Sequence, residues 1–216
     1  MGGIGKRNMT GVLASLFQGK AITLGYKDFA TDVFLNATHT FSNLSVGEAV
    51  VGRNIIVCVA WKGAVTLSSL TIGGSAGTVH NQVQRAADTN VAMCSIQSDT
   101  GTTKTVVLTF SGATDAYTAV AVYSETGGRV FNIGSTDNTG LDMNLNTNVV
   151  AGGIAVGCAY ADNGSYSSKA GFTTDDTPAQ LLNAFSDPSI LQNETPRTYT
   201  LTYTVGNVVG AIAYFQ

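Results

Sequence analysis

The stretch VTLSSLTIGGSAGTVHNQVQ, residues 65–84, has two readings, and the choice between them sets the fold. Gly73-Gly74-Ser75-Ala76-Gly77 fits the G-x-S-x-G pattern of a nucleophile elbow. That device needs a strand before the serine and a helix after it, which places the hydroxyl at a helix N-terminus. The strand is present as VTLSSLTI. The helix is absent, because TVHNQVQ is polar on every side and carries no apolar stripe. The order Ser, acid, His also fails. His80 follows Ser75 by five residues, no histidine lies beyond it, and His39 stands upstream. The alternative is a tight turn between two strands, with glycines supplying φ > 0. The chain is therefore expected to be no enzyme.

The rest of the chain agrees with strands. Charged residues are 12% of the 216, about half the usual share. Val, Ile, Thr and Tyr favour strands, and good helix formers are scarce. THTFSNL, NIIVCVAW, VTLSSLTI, VAMCSIQ, TKTVVLTFS and YTAVAVYS read as strands, followed by GLDMNLN, GGIAVGCAYA, TYTLTYTV and NVVGAIAYFQ. Such spacing, with Gly, Asn and Asp between, predicts an all-β sandwich or barrel. TKTVVLTFS puts Val106, Leu108 and Phe110 on one face, and TYTLTYTV does the same with Tyr199, Leu201 and Tyr203.

The second part echoes the first. VVGRNIIVCVAW (50–61) aligns without gaps to VVAGGIAVGCAY (149–160), each after a similar lead-in, THTFSNLS or TGLDMNLN. TVVLTFSG…YTAVAVYS resembles TYTLTYTVG…VVGAIAYFQ. This predicts a sandwich with two loosely repeated halves.

Two segments break the pattern. TPAQLLNAFSDPSILQ has Thr177 and Gln180 in capping-box spacing and Pro178 at the first helical position, with Leu181, Leu182 and Phe185 as an apolar face. A helical insertion at about 177–191 is expected. Residues 1–36 read as an N-terminal arm with a short helix at about 10–18, capped by Thr10 and stopped by Gly19, leading into a sandwich domain at 37–216. Leu13, Leu16, Phe17, Tyr26, Phe29 and Phe34 must be buried against the domain or a partner, and are the candidate partner-binding residues.

Several function classes are excluded. Net charge is −3 with no basic run, which rules out phosphate-driven nucleic-acid binding and a polybasic membrane anchor. No apolar run spans a bilayer, and the N-terminus lacks signal-peptide and myristoylation patterns, so synthesis in a cytoplasm is expected. Cys58, Cys94 and Cys158 sit singly in apolar runs and read as buried thiols. STDNTGLD and YADNGS miss the calcium-loop pattern and read as turns. Adjacent Asp175 and Asp176 diverge in an extended chain and make no acid/base pair. GGIGKR is no phosphate loop. No catalytic, metal or cofactor site is expected, and no cofactor. Trp61 reads as sheet-end packing, while Tyr123, Tyr160 and Tyr166 are candidate contacts to a sugar.

VGRNIIVCVAWKG, SSLTIGG, TVVLTFS, AVAVYSETGG and VVAGGIAVGCAY together resemble a β-sandwich domain that recurs in bacteriophage structural proteins. The resemblance covers about residues 38–216 and rests on strand chemistry. It implies a jelly-roll-like antiparallel β-sandwich in a virion, as a decoration, spike, fibre or tail-associated protein made in the host cytoplasm. Its implied partners are other virion proteins and further copies of itself. The alternative is a carbohydrate-binding host-recognition module.

Overall fold

The computed structural model describes residues 22–85, 89–127, 130–138, 142–162, 166–175, 181–204 and 207–216. Among these, all regular structure is strand, and the paired strands run antiparallel. The arm helix expected at 10–18 lies outside the described residues, as do Leu13, Leu16 and Phe17.

The described strands form four sheets. The first inner sheet has the order β1 (Thr23–Asp32), β9 (Thr118–Thr126), β3 (Arg53–Trp61), β7 (Thr89–Gln97), β6 (Thr78–Arg85). The first outer sheet is β2 (Thr38–Ser45), β8 (Thr103–Phe110), β4 (Leu67–Ile72), β5 (Ser75–Ala76). The second inner sheet is β10 (Val130–Asn138), β17 (Asn207–Phe215), β12 (Ile154–Asp162), β15 (Leu182–Asp187), β14 (Thr174–Asp175). The second outer sheet is β11 (Asp142–Val149), β16 (Glu194–Tyr203), β13 (Tyr166–Ala170). Counted in chain order within each half, with β5 and β6 as one interrupted strand, the two inner sheets share one strand order. The two outer sheets share the order of their first three strands, and the first adds β5 at its edge.

The sheets stack in four layers. One core lies between the first outer and first inner sheets, with Phe41, Val57, Trp61, Leu70 and Leu108 in it. A second joins the two inner sheets through Ile56, Cys58, Met93, Val156, Cys158 and Ala211. A third lies between the second inner and second outer sheets, around Leu145, Phe172, Phe185 and Leu201. This explains two kinds of strand text. The central inner strands are covered on both faces, so they read as unbroken apolar runs such as IIVCVAW, buried throughout. Outer strands are covered on one face and alternate, as TKTVVLTF does.

Between the inner sheets β7 lies over β17 and β12, and β15, its counterpart, lies over β9 and β3. The two halves are thus related by a pseudo-two-fold axis. The turns fix the equivalence. Arg53 N–H donates to Val50 O at 3.3 Å around Gly52 (φ 78°), and Gly153 N–H donates to Val150 O at 3.1 Å around Gly152 (φ 87°). Equivalent residues of β3 and β12 are therefore 100 positions apart, which corrects the gapless sequence alignment by one. A slip of one residue exchanges the faces of a strand. The gapless alignment pairs Trp61, which faces the first outer sheet, with Tyr160, which faces the other half.

Two segment assignments also need correction. The helical insertion expected at 177–191 contains strand β15 instead; residues 176–180 lie outside the described residues. Leu182 and Ala184 face one core and Phe185 faces another, so apolar residues on both faces of a strand imitated a helical stripe. The arm expected at 1–36 includes β1, the edge strand of the first inner sheet. A register shift between Tyr26 and Asp28 breaks its alternation and hid it in the sequence.

Candidate functional site

The β1–β2 connection carries the most unusual surface. Val33, Phe34 and Leu35 are 63%, 67% and 65% exposed, three consecutive large apolar side chains at one loop tip. Scattered single apolar residues on a surface are ordinary, whereas a contiguous group marks a contact surface. Covering all three would contribute roughly 3–6 kcal/mol from transfer alone.

The base of this loop is held from both sides. Asp32 Oδ1 accepts the Phe34 N–H at 3.0 Å, and its Oδ2 lies 2.9 Å from His39 Nδ1. His39 is buried on β2, and its ring stands edge-on to Phe110, 5.7 Å between centroids. Its Nε2 lies 2.9 Å from Asn36 O and 2.8 Å from Thr114 Oγ1, with Thr118 Oγ1 further out at 3.4 Å. Two backbone bonds close the other side, Phe110 N–H to Ala37 O at 2.8 Å and Thr114 N–H to Asn36 O at 3.0 Å. Burial pushes the Asp32 carboxyl up, but the hydrogen bond from Phe34 and the bond and charge of His39 outweigh it, and the net shift is downward. A buried polar hub thus carries an exposed apolar tip.

Of the partner-binding residues expected from sequence, Phe34 is at this tip. Tyr26 and Phe29 are half-buried against the core between the inner sheets, and Tyr26 meets Tyr123 edge-to-face at 5.6 Å. Sequence reasoning missed Val33 and Leu35. Their signal was the run VFL between Asp32 and Asn36, too short for a strand and too apolar for a turn.

Ser75 stands where the turn reading puts it. Gly73 and Gly74 have φ of 61° and 81°, and Ile72 pairs with Ser75 across them, as a two-residue type I′ hairpin requires. His80 engages a different serine, its Nε2 lying 2.6 Å from Ser95 Oγ, and burial pushes the His80 imidazole down. Cys58, Cys94 and Cys158 are buried, and burial drives the Cys94 thiol far upward. Among the described residues no three His, Cys, Asp or Glu side chains gather as metal ligands would. Trp61 and Tyr160 are fully buried, the indole N–H donating to Val65 O at 2.8 Å, and Tyr160 stacks on Tyr117 at 5.3 Å. Tyr123 is likewise inside, and Tyr166 is half-buried against Phe185 and Tyr203. Arg53 is fully buried and ties two loops, donating to the carbonyls of Gly47, Glu48, Ser98 and Thr100 at 2.7–2.9 Å.

At the opposite end of β1 lies an open cleft of about 400 Å³. Thr23, Lys27, Glu48, Ser124 and Thr126 are among its lining residues. No known protein family, curated protein or solved structure matches the chain.

Proposed function

We propose that the chain is a structural component of a bacteriophage virion that acts in assembly or decoration of the particle. The observation that carries this reading is the apolar tip Val33-Phe34-Leu35 on its hydrogen-bonded base. A pre-ordered apolar tip loses little conformational entropy on docking, which is how a repeated contact between subunits gains strength. The strand-level resemblance to phage structural domains supplies the setting. Each half is read as a jelly roll, supported by strand order. With eight strands per half, the inner sheet runs 1-8-3-6-5 and the outer sheet 2-7-4.

Light scattering after size exclusion tests the reading on the full chain. An oligomer that dissociates in Phe34→Asp is expected. A monomer over the whole accessible concentration range, in both proteins, would overturn self-assembly through this loop.

A glycan-binding module is the second reading. The open polar cleft favours it, because hydroxyls with one cation and one carboxylate suit a small polar ligand. Binding on a glycan array that Lys27→Ala abolishes, by a chain that stays monomeric, would favour it over assembly.

A further inference from the structure

We infer that the open cleft beside β1 takes a carboxylate-bearing sugar, with the Lys27 ammonium on the carboxylate and Glu48 on the hydroxyls. The inference rests on the glycan-binding reading and names the ligand class.

Lys27 is the extra residue of β1. Tyr26 pairs with Tyr123 and Asp28 with Val122, so β9 has no position opposite Lys27. Such a bulge re-aims the side chain it carries. Here the side chain lies along two glycines of the cleft. Its Nζ is 2.9 Å from where a Cβ of Gly25 would stand, and its Cε is 2.8 Å from where one of Gly47 would. Gly47 also suits its backbone, at φ 74°. A side chain at either place would push the ammonium away.

The wall beside Lys27 is fixed from beneath. The buried Arg53 guanidinium donates to Gly47 O at 2.9 Å and to Glu48 O at 2.7 Å, so Glu48 enters the cleft from an anchored backbone. Thr23 and Thr126, paired across β1 and β9, add hydroxyls that bond each other at 2.5 Å, and Ser124 adds a third.

Two charges in the cleft stay open. Among the described residues the Lys27 ammonium and the Glu48 carboxylate make no ion pair or hydrogen bond, with each other or with a neighbour. A ligand that answers both carries an anion and, a little apart, hydroxyl donors. An acidic sugar has the two on one ring, and about 400 Å³ has room for one such unit. A neutral sugar leaves the ammonium unanswered. A simple anion meets the ammonium but leaves Glu48 opposing it.

The test titrates the isotope-labelled full chain with glucuronate, glucose and inorganic phosphate, and follows the amides of Gly25, Glu48, Ser124 and Thr126 by NMR. Glucuronate is expected to shift this set with an affinity about fivefold above that of glucose, the scale of one exposed ion pair, and to bind more tightly than phosphate. Lys27→Ala is expected to bring glucuronate down to the level of glucose, Lys27→Arg to keep the preference, and Glu48→Gln to weaken glucose. Equal binding of glucose and glucuronate, unchanged in Lys27→Ala, would overturn the inference and leave the glycan reading standing. Phosphate binding as tightly as glucuronate would overturn it as well, since the cleft then answers to charge alone. No shift of these amides with either sugar would remove both readings.

Discussion

The two halves of the molecule share a strand order and secure the same turn by different chemistry. In the first half Arg53 is buried at the start of β3, and its guanidinium ties the loop at 46–48 to the loop at 98–100. At the equivalent place in the second half stands Gly153. A Cβ there would collide with the ring of Tyr214. The ring takes the space, and the Tyr214 hydroxyl accepts the Val150 N–H and donates to Val150 O, both at 3.0 Å. One half holds its turn from within the strand, the other from the neighbouring strand β17. What the fold demands here is that the half-buried polar groups of the loop be satisfied, and either residue meets that demand.

Substitutions at the two turns test this difference. Arg53→Met has the largest expected effect. It removes every donor at once from half-buried carbonyls of two loops, at a cost of about 3–5 kcal/mol in urea unfolding. A loss under about 1 kcal/mol would mean that water replaces the guanidinium. Gly153→Ala comes next, at about 1–3 kcal/mol, because the new methyl must displace the Tyr214 ring. Tyr214→Phe keeps the ring and loses the hydroxyl, and about 1 kcal/mol is expected. If the two effects come out in the reverse order, the hydroxyl rather than the ring holds the turn.

A smaller effect sharpens the contrast at the other end of the strands. The folded Asp32 carboxyl is held below its ordinary range, so it stabilises the loop base above the unfolded value, about 4. That contribution is lost as pH falls through the lowered folded value. Protection of the Phe34 amide, taken against its intrinsic exchange rate at each pH, is expected to fall below that range, and Asp32→Asn to abolish the dependence.

Much of this fold was legible where a strand has one wet face. TKTVVLTF and the Tyr199-Leu201-Tyr203 run declared themselves by alternation, and Gly73-Gly74 declared a hairpin by the φ they allow. Strands buried on both faces were harder. Leu182–Asp187 shows no period of two, because each residue is covered, and its spacing mimicked a helix. The repeat was visible in composition but not in register, since only the turns at Gly52 and Gly152 fix the count. At the apolar tip Phe34 was singled out, while the role of His39 was not readable. Its partners Asp32, Asn36 and Thr114 come together only through the pairing of β1 with β9 and β2 with β8.

Counting 100 positions, Lys62 is equivalent to Asp162, and the two meet, Nζ to Oδ2, at 3.1 Å. In a dimer of identical subunits a residue near the axis faces its own copy, and a lysine there would oppose a lysine. Carrying both halves on one polypeptide lifts that rule. The two sides of the axis are free to differ, and here they differ in sign. Covalent linkage has thus turned a place where symmetry forces self-repulsion into a lock between unlike halves.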